Sequence, residues 1–136
     1  MSLSIFCDGG SRGNPGPAAI GFVVIQEGRE IKRASKKIGQ TTNNVAEYQA
    51  VIAVLSWLLR NQDLLPDPFP INLYLDSQLV ARQLTGVYKI KNQKLRKLAI
   101  TAKNLEKSLN GKIFYHAVPR EKNKVADFLV KKALEK

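Results

Sequence analysis

Four of the eleven acidic residues stand where strands should end or helices begin. Asp8 closes an alternating apolar segment just before Gly9-Gly10, and Asp76 closes a second such segment. Glu47 falls in the first turn of an expected helix, and Asp127 within the first turn or so of the last one. Strand ends and helix starts are where α/β folds place their sites. Four carboxylates brought to one point repel unless cations are present. Hard divalent ions with oxygen ligands, Mg²⁺ or Mn²⁺, would neutralise them. An acidic pocket in an otherwise basic protein suits metal-assisted phosphoryl chemistry on a nucleic acid. Each residue also has a plainer reading. Asp8 can form a turn before Gly9, Glu47 and Asp127 can favour a helix dipole, and Asp76-Ser77 can be a capping pair. Spacing alone therefore leaves open a nucleic-acid-binding module without chemistry.

Other chemistries find less support. Gly10-Ser11-Arg12-Gly13-Asn14-Pro15-Gly16 is glycine-rich but lacks the Gly-Lys-Ser/Thr ending of a P-loop. Ser11 and Ser77 have no evident His and Asp partners for a hydrolase triad. His116 is the single histidine, and a lone His on a strand is more often packed or hydrogen-bonded than a ligand. Cys7, the single cysteine, excludes an intrachain disulfide and a Cys-rich zinc site, and reads as a small core residue.

The elements that must position the carboxylates follow from periodicity. Residues 2–8 alternate, with Leu3, Ile5 and Cys7 on one face. Residues 9–17 read as a turn-rich loop. Residues 18–26 and 30–38 read as strands joined by a short turn. Thr42 and its neighbours can cap a helix running to about Asn61, with Val45, Tyr48, Ile52, Leu55 and Leu59 inward. Pro66, Pro68 and Pro70 form a rigid connector to a strand over 71–76. Ser77 can cap a short helix ending at Thr85-Gly86. Residues 92–110 form a basic amphipathic helix, 112–118 a last strand, and Asn123 can cap a final helix. Three consecutive strands followed by strands alternating with helices predict an α/β fold with a mixed sheet flanked by helices, its first three strands antiparallel.

The chain has 136 residues, which suits one domain spanning 1–136. Its net charge of +11 is uneven: residues 1–81 carry 7 basic and 7 acidic side chains, and residues 82–136 carry 15 and 4. A one-sided basic surface points to a polyanion, most often nucleic acid. No apolar run approaches the ~20 residues of a membrane span, and no signal peptide is visible. Together with the lone thiol, this predicts a cytoplasmic protein without membrane association.

Four blocks, in order and each carrying one of the acidic residues, resemble the type 1 ribonucleases H (ribonuclease HI). They are Asp8-Gly9-Gly10-Ser11-Arg12-Gly13-Asn14-Pro15-Gly16-Pro17-Ala18, Thr42-Asn43-Asn44-Val45-Ala46-Glu47, Leu73-Tyr74-Leu75-Asp76-Ser77-Gln78, and His116-Ala117-Val118-Pro119-Arg120-Glu121 with Asn123 and Ala126-Asp127. The resemblance covers essentially the whole chain. It implies the ribonuclease H-like fold, a five-stranded mixed sheet with helices on both faces. It also implies endonucleolytic hydrolysis of the RNA strand in an RNA–DNA hybrid. By the family pattern Asp8, Glu47, Asp76 and Asp127 are the catalytic and metal-binding residues. They would hold two divalent ions, one activating water and one stabilising the leaving 3′ oxygen. Glu47 would also touch a 2′-hydroxyl. The segment Gly9, Gly10, Ser11, Arg12, Gly13, Asn14 would approach the minor groove, its glycines allowing close backbone approach. Asn14, Asn43 and Asn44 resemble the family's groove-reading amides. Thr42 matches a residue that holds a DNA-strand phosphate, and Gln78 joins the substrate-binding set.

The departures from the family pattern set further expectations. The segment Gly86-Val87-Tyr88-Lys89-Ile90-Lys91-Asn92 is too short for the Trp-rich basic handle of some members, so the chain resembles the handle-less, minimal form. Trp57 is expected in the core. The loop at residues 119–124 holds no His, which makes Glu121 the nearest auxiliary group. The N-terminal hybrid-binding domain of some members is expected to be absent. Without a handle, the basic helix should supply the grip, with Lys91, Asn92, Lys94 and Lys97 against phosphates; Lys91, Lys94 and Lys97 can share a face. A monomer is expected. Two further readings stay open: a catalytically silent binding module of the same fold, and a broader nuclease that also cuts double-stranded RNA.

Overall fold

The computed structural model describes residues 3–64 and 70–135. Ser2, at the start of the first expected strand, and Pro66 and Pro68 of the expected connector lie outside the described residues. The elements are β1 (Leu3–Ser11), β2 (Gly16–Gln26), β3 (Arg29–Thr41), α1 (Asn43–Arg60), β4 (Pro70–Leu75), α2 (Gln78–Leu84), α3 (Gln93–Lys107), β5 (Lys112–Ala117) and α4 (Lys124–Leu134). Single 3₁₀ turns at Gln62–Leu64 and Arg120–Lys122 precede β4 and α4.

The five strands form one sheet in the order β3-β2-β1-β4-β5, with β3 and β5 at its edges. β1, β2 and β3 run antiparallel; β4 pairs parallel to β1 and β5 parallel to β4. This is the expected mixed sheet. The period-2 geometry of β2 explains its two layers. Ile20, Phe22 and Val24 join Leu3, Ile5 and Cys7 in the large core beneath α1 and α3. Ala19, next to Ile20 on the strand, packs with Val130 and Ala133 of α4 on the other face. Each fully buried Ile, Leu or Val there contributes about 1.5–3 kcal/mol. Trp57 is buried in the large core, its ring tilted against Phe22. Among the described residues no helix is long and apolar enough to cross a membrane.

Three helix starts are capped as their sequences predict. Thr42 Oγ1 accepts from the Val45 N–H, Ser77 Oγ from Val80 and Asn92 Oδ1 from Leu95. Each cap is worth about 1 kcal/mol. Asn123 departs from expectation. It precedes α4, but its side chain makes no capping bond. It is buried and donates from Nδ2 to the Cys7 carbonyl at 2.9 Å, tying α4 to β1.

The second departure is at the glycines. β1 continues through Gly9 and Gly10 to Ser11, paired with Ile20, Ala19 and Ala18, and β2 starts at Gly16. Only residues 12–15 are left for the loop expected over 9–17. Tertiary packing overrides local turn preference here: a Cβ on Gly9 would lie 2.1 Å from the Ala46 carbonyl oxygen of α1. The close approach this glycine permits is therefore to the protein's own helix.

Candidate active site

β1 and β4 are paired only from Leu3–Ile71 to Phe6–Tyr74. Beyond that point the two strands part, and each then delivers an acid: Asp8 from β1, Asp76 from just past the end of β4. Such a cleft, at strand ends where the sheet's order reverses, is the expected place for a ligand. Glu47 comes from α1, but as its fifth residue, in the second turn. It is drawn in because the parting of the strands leaves the Gly9 N–H without a sheet partner. That N–H donates to Glu47 Oε1 at 2.8 Å. One carboxylate oxygen from each of Asp8, Glu47 and Asp76 then lies within 4.8 Å of the other two.

The fourth acid stands outside this triad. Asp127, in the first turn of α4, lines the adjoining cleft of about 360 Å³ together with Asp8, Asn43 and Arg120. Its Oδ2 pairs with Lys131 Nζ at 3.0 Å, one helical turn on. Its field still reaches Asp8 and Asp76, whose proton affinities it raises.

Burial dominates the electrostatics of the triad. It pushes the Asp8 carboxyl up to about 6, an effect that the Asp76 and Asp127 charges increase and Glu47 and Arg120 reduce. Glu47 is raised well above the carboxylate range, by burial first and the Asp8 carboxylate next. Asp76 is raised by burial and held back by Arg120, whose Nε lies 3.4 Å from its Oδ2. Two buried oxygens, Glu47 Oε2 and Asp76 Oδ2, accept no hydrogen bond among the described residues. Crowded, desolvated acids, with Glu47 Oε2 free of any hydrogen bond and Asp76 Oδ2 held only by its ion pair with Arg120, are what a hard divalent cation stabilises, so the donor set fits Mg²⁺- or Mn²⁺-type ions.

The rim of the cleft is braced from within. Asn14 Oδ1 accepts from the Asn43 N–H at 3.0 Å, and Asn43 Oδ1 accepts from the Ser11 N–H at 2.9 Å and from Ser11 Oγ. These bonds fix both amides by their oxygens and leave their Nδ2 donors without a partner among the described residues. Arg12 reaches across to donate to the Leu134 carbonyl. Gly9, Gly10, Ser11, Arg12 and Asn43 line the cleft.

The RNase H family model matches residues 1–135. The chain belongs to the RNase H family. It is 40% identical over 131 residues to a ribonuclease HI of Halobacterium salinarum, covering 96% of this chain and 63% of that protein. It is 39% identical over 137 residues to the bifunctional protein Rv2228c of Mycobacterium tuberculosis, covering 99% of this chain but only 36% of that protein. The chain thus spans about a third of the length of its mycobacterial relatives. Its structure superposes on LC11-RNase H1, isolated from compost and solved in complex with an RNA/DNA hybrid. The TM-score is 0.92 at 40% identity, over 98% of this chain and 96% of that one.

The remaining expected residues of this RNase H chain scatter around the site. Gly13, Asn44 and Gln78 are exposed, as are Lys91, Asn92, Lys94 and Lys97. Glu121 does not line the carboxylate cleft; it rims a separate cleft of about 240 Å³ beside Phe6, Val23 and Asn123. His116 is a packed residue, stacked on Tyr74 and hydrogen-bonded to Asn72 at 2.9 Å. Two site residues escaped the sequence reading. Arg120 pairs with Asp76, and its place at the start of the short turn before the helix bearing Asp127 was the available signal, shared with Lys122 of the same turn. Asn123 had no distinct signal, because an Asn before a helix reads first as a cap.

Proposed function

We propose that residues 1–136 make up a single RNase H domain that cleaves the RNA strand of RNA–DNA hybrids. The observation that carries this reading is the buried Asp8–Glu47–Asp76 triad at the parted ends of β1 and β4, with oxygens within 4.8 Å of one another. The hybrid-bound relative, similar over nearly the whole chain, supports the choice of substrate. Asp8, Glu47 and Asp76 hold the divalent ions, Mg²⁺ or Mn²⁺, and Asp127 stands by across the cleft. The ions supply Lewis-acid polarisation of the scissile phosphate and a lowered pKa for water.

The protein's own groups orient and select. The Gly9 N–H fixes Glu47 through one oxygen and leaves Oε2 free for the cation. The braced Asn14 and Asn43 offer Nδ2 donors at the cleft rim, where a 2′-hydroxyl distinguishes RNA from DNA. Arg120 tempers the repulsion among the acids while no ion is bound.

Labelled hybrid, RNA duplex and DNA duplex, each incubated with Mg²⁺, with Mn²⁺ and with chelator, test the reading. The expected result is divalent-dependent cutting confined to the RNA strand of the hybrid, abolished in Asp8→Asn. Binding without cutting, or equal cutting of RNA duplex, would refute it.

A further inference from the structure

The rings of Phe6, Tyr74 and His116 form a column across the neighbouring strands β1, β4 and β5. Phe6 and Tyr74 stack at 4.7 Å and 17°, Tyr74 and His116 at 4.9 Å and 23°. Phe6 therefore gives one ring face to Tyr74. Its other face is turned toward β2, where Val23 is its cross-strand partner. On that side lies the cleft of about 240 Å³ that Glu121 rims. We propose that this cleft binds a single unpaired nucleobase, stacked on Phe6 as the next ring of the column. The inference stands apart from the cleavage proposed above, because binding here needs neither metal nor hydrolysis.

Size and charge restrict the ligand. The cleft is smaller than the roughly 300–1,000 Å³ of sites for drug-sized ligands. Val23 and Ile25 supply an apolar floor, and Val125 of α4 an apolar wall. Glu30 and Glu121 are matched by Lys122 and Lys124, so the lining carries no net charge in a protein of +11. A bare phosphate finds no excess of cations here. A flat, neutral ring finds an aromatic face to stack on.

Unmet polar groups specify its edge. Asn123 lines the cleft, is only 1% exposed, and its Oδ1 accepts no hydrogen bond among the described residues. Its Nδ2 is committed to the Cys7 carbonyl, so what remains is a buried acceptor that calls for a donor. The start of α4 makes the opposite demand. Asp127 makes a bond back to the Asn123 carbonyl, and no side chain caps the earlier N–H groups of Lys124 and Val125, which also line the cleft. An acceptor beside free donors suits the edge of a base, where N–H groups stand next to carbonyl or ring-nitrogen acceptors. The cleft also adjoins the acids. Phe6 and Asp8 face the same side of β1, ~7 Å apart along the strand. Glu121 and Lys122 share their 3₁₀ turn with Arg120, the partner of Asp76. The base can thus come from a free nucleoside or from the unpaired end of a strand engaged at the acids.

The test titrates the protein in chelator with uridine, cytidine and adenosine, followed by amide NMR. Nucleosides carry no phosphate, so attraction to the basic surface does not enter. The expected result is a saturable shift of the Lys124 and Val125 amides. Phe6→Leu keeps apolar bulk without the ring and should weaken binding about five-fold or more. Should that variant fold poorly, Val125→Trp, at a position 41% exposed, fills the cleft with its own ring and should abolish the shifts. Ribose 5-phosphate is the control. Equal shifts with it would mean that the cleft reads sugar or phosphate, and overturn the assignment to a base. The source of the base is read with hybrids carrying a short RNA overhang, normal or abasic, bound in chelator. Tighter binding of the normal overhang, lost in Phe6→Leu, supports the site with an attached strand as its source. Equal binding of the two, with the nucleoside shifts intact, supports it with free nucleosides as the source. No shift with any nucleoside and no gain from the overhang overturns the proposal. An unaltered protein that cuts no hybrid refutes the function proposed above, while the nucleoside titration still decides the cleft.

Discussion

Replacing Asp8 by Asn should stabilise the metal-free protein while removing its activity. Asp8 is only 5% exposed, and its carboxyl titrates at about 6 instead of the ordinary 3.8. Each pH unit of that displacement corresponds to about 1.36 kcal/mol. Ionising Asp8 therefore costs the folded state about 3 kcal/mol, which the asparagine avoids. The sign follows from proton binding. Between 3.8 and about 6 the folded protein holds this proton more tightly than the unfolded chain does, so rising pH lowers stability until Asp8 is fully ionised. The amide has no proton to lose in this range and escapes that penalty. In EDTA the variant's advantage should be near zero below pH 4, grow through the window to about pH 6, and stay level above it. At about 3 °C per kcal/mol for a chain of this size, the melting temperature should rise by roughly 9 °C at about pH 7.5. Excess Mg²⁺ should reverse the order, because it binds and stabilises the unaltered native state preferentially. Thermal melts followed by circular dichroism across this range, with and without Mg²⁺, read both effects. Equal or lower stability of Asp8→Asn in EDTA above the titration window would refute the convergence of the acids.

Gly21→Ala should be costly, because its Cβ would sit 2.6 Å from Leu129 Cβ and 2.9 Å from the Ala126 carbonyl oxygen. We expect about 1–3 kcal/mol lost in denaturant melts and reduced kcat, since α4 must shift and carry Asp127 with it. Asn123→Ala removes the bond to the Cys7 carbonyl and should destabilise by about 1–3 kcal/mol. Urea denaturation measures this, and an unchanged midpoint would reject the tie between α4 and β1. Arg120→Ala takes a cation from beside Asp76 and Asp8, both of which it holds down. Mg²⁺ should then saturate the melting-temperature gain at lower concentration, and the acidic limb of the activity profile should move to higher pH.

Much of this molecule was readable from its residues. Strand alternation at Leu3, Ile5 and Cys7, helical spacing from Val45 to Leu59, and the caps Thr42, Ser77 and Asn92 are local signals that tertiary packing reinforces. The mixed sheet, its first three strands antiparallel, follows from the succession of strands and helices. What stayed hidden depends on contacts between distant segments. Gly9 and Gly10 look like a turn until the Ala46 carbonyl is seen against Gly9. Asn123 looks like a cap until Cys7 claims its amide. The four acids were legible as a set, but their division was not. Asp8, Glu47 and Asp76 form a buried triad, while Asp127 keeps a lysine partner one turn away. The basic helix was legible as a charge run.

The long edge strand β3 has a consequence for self-association. An unpaired edge is a template on which another sheet can grow. β3 offers thirteen residues of edge, most of them exposed. Along it stand Arg29, Lys32, Arg33, Lys36 and Lys37, with Glu30 as the only acid. Two copies approaching edge to edge would set these cations against their counterparts and strip water from both rows. The strand thus guards its own backbone, so a sheet that must stay open at the parted ends of β1 and β4 is closed to extension at its far side. Replacing these cations with Thr or Val would leave the pairing of β3 with β2 intact and turn this edge into a seed for aggregation.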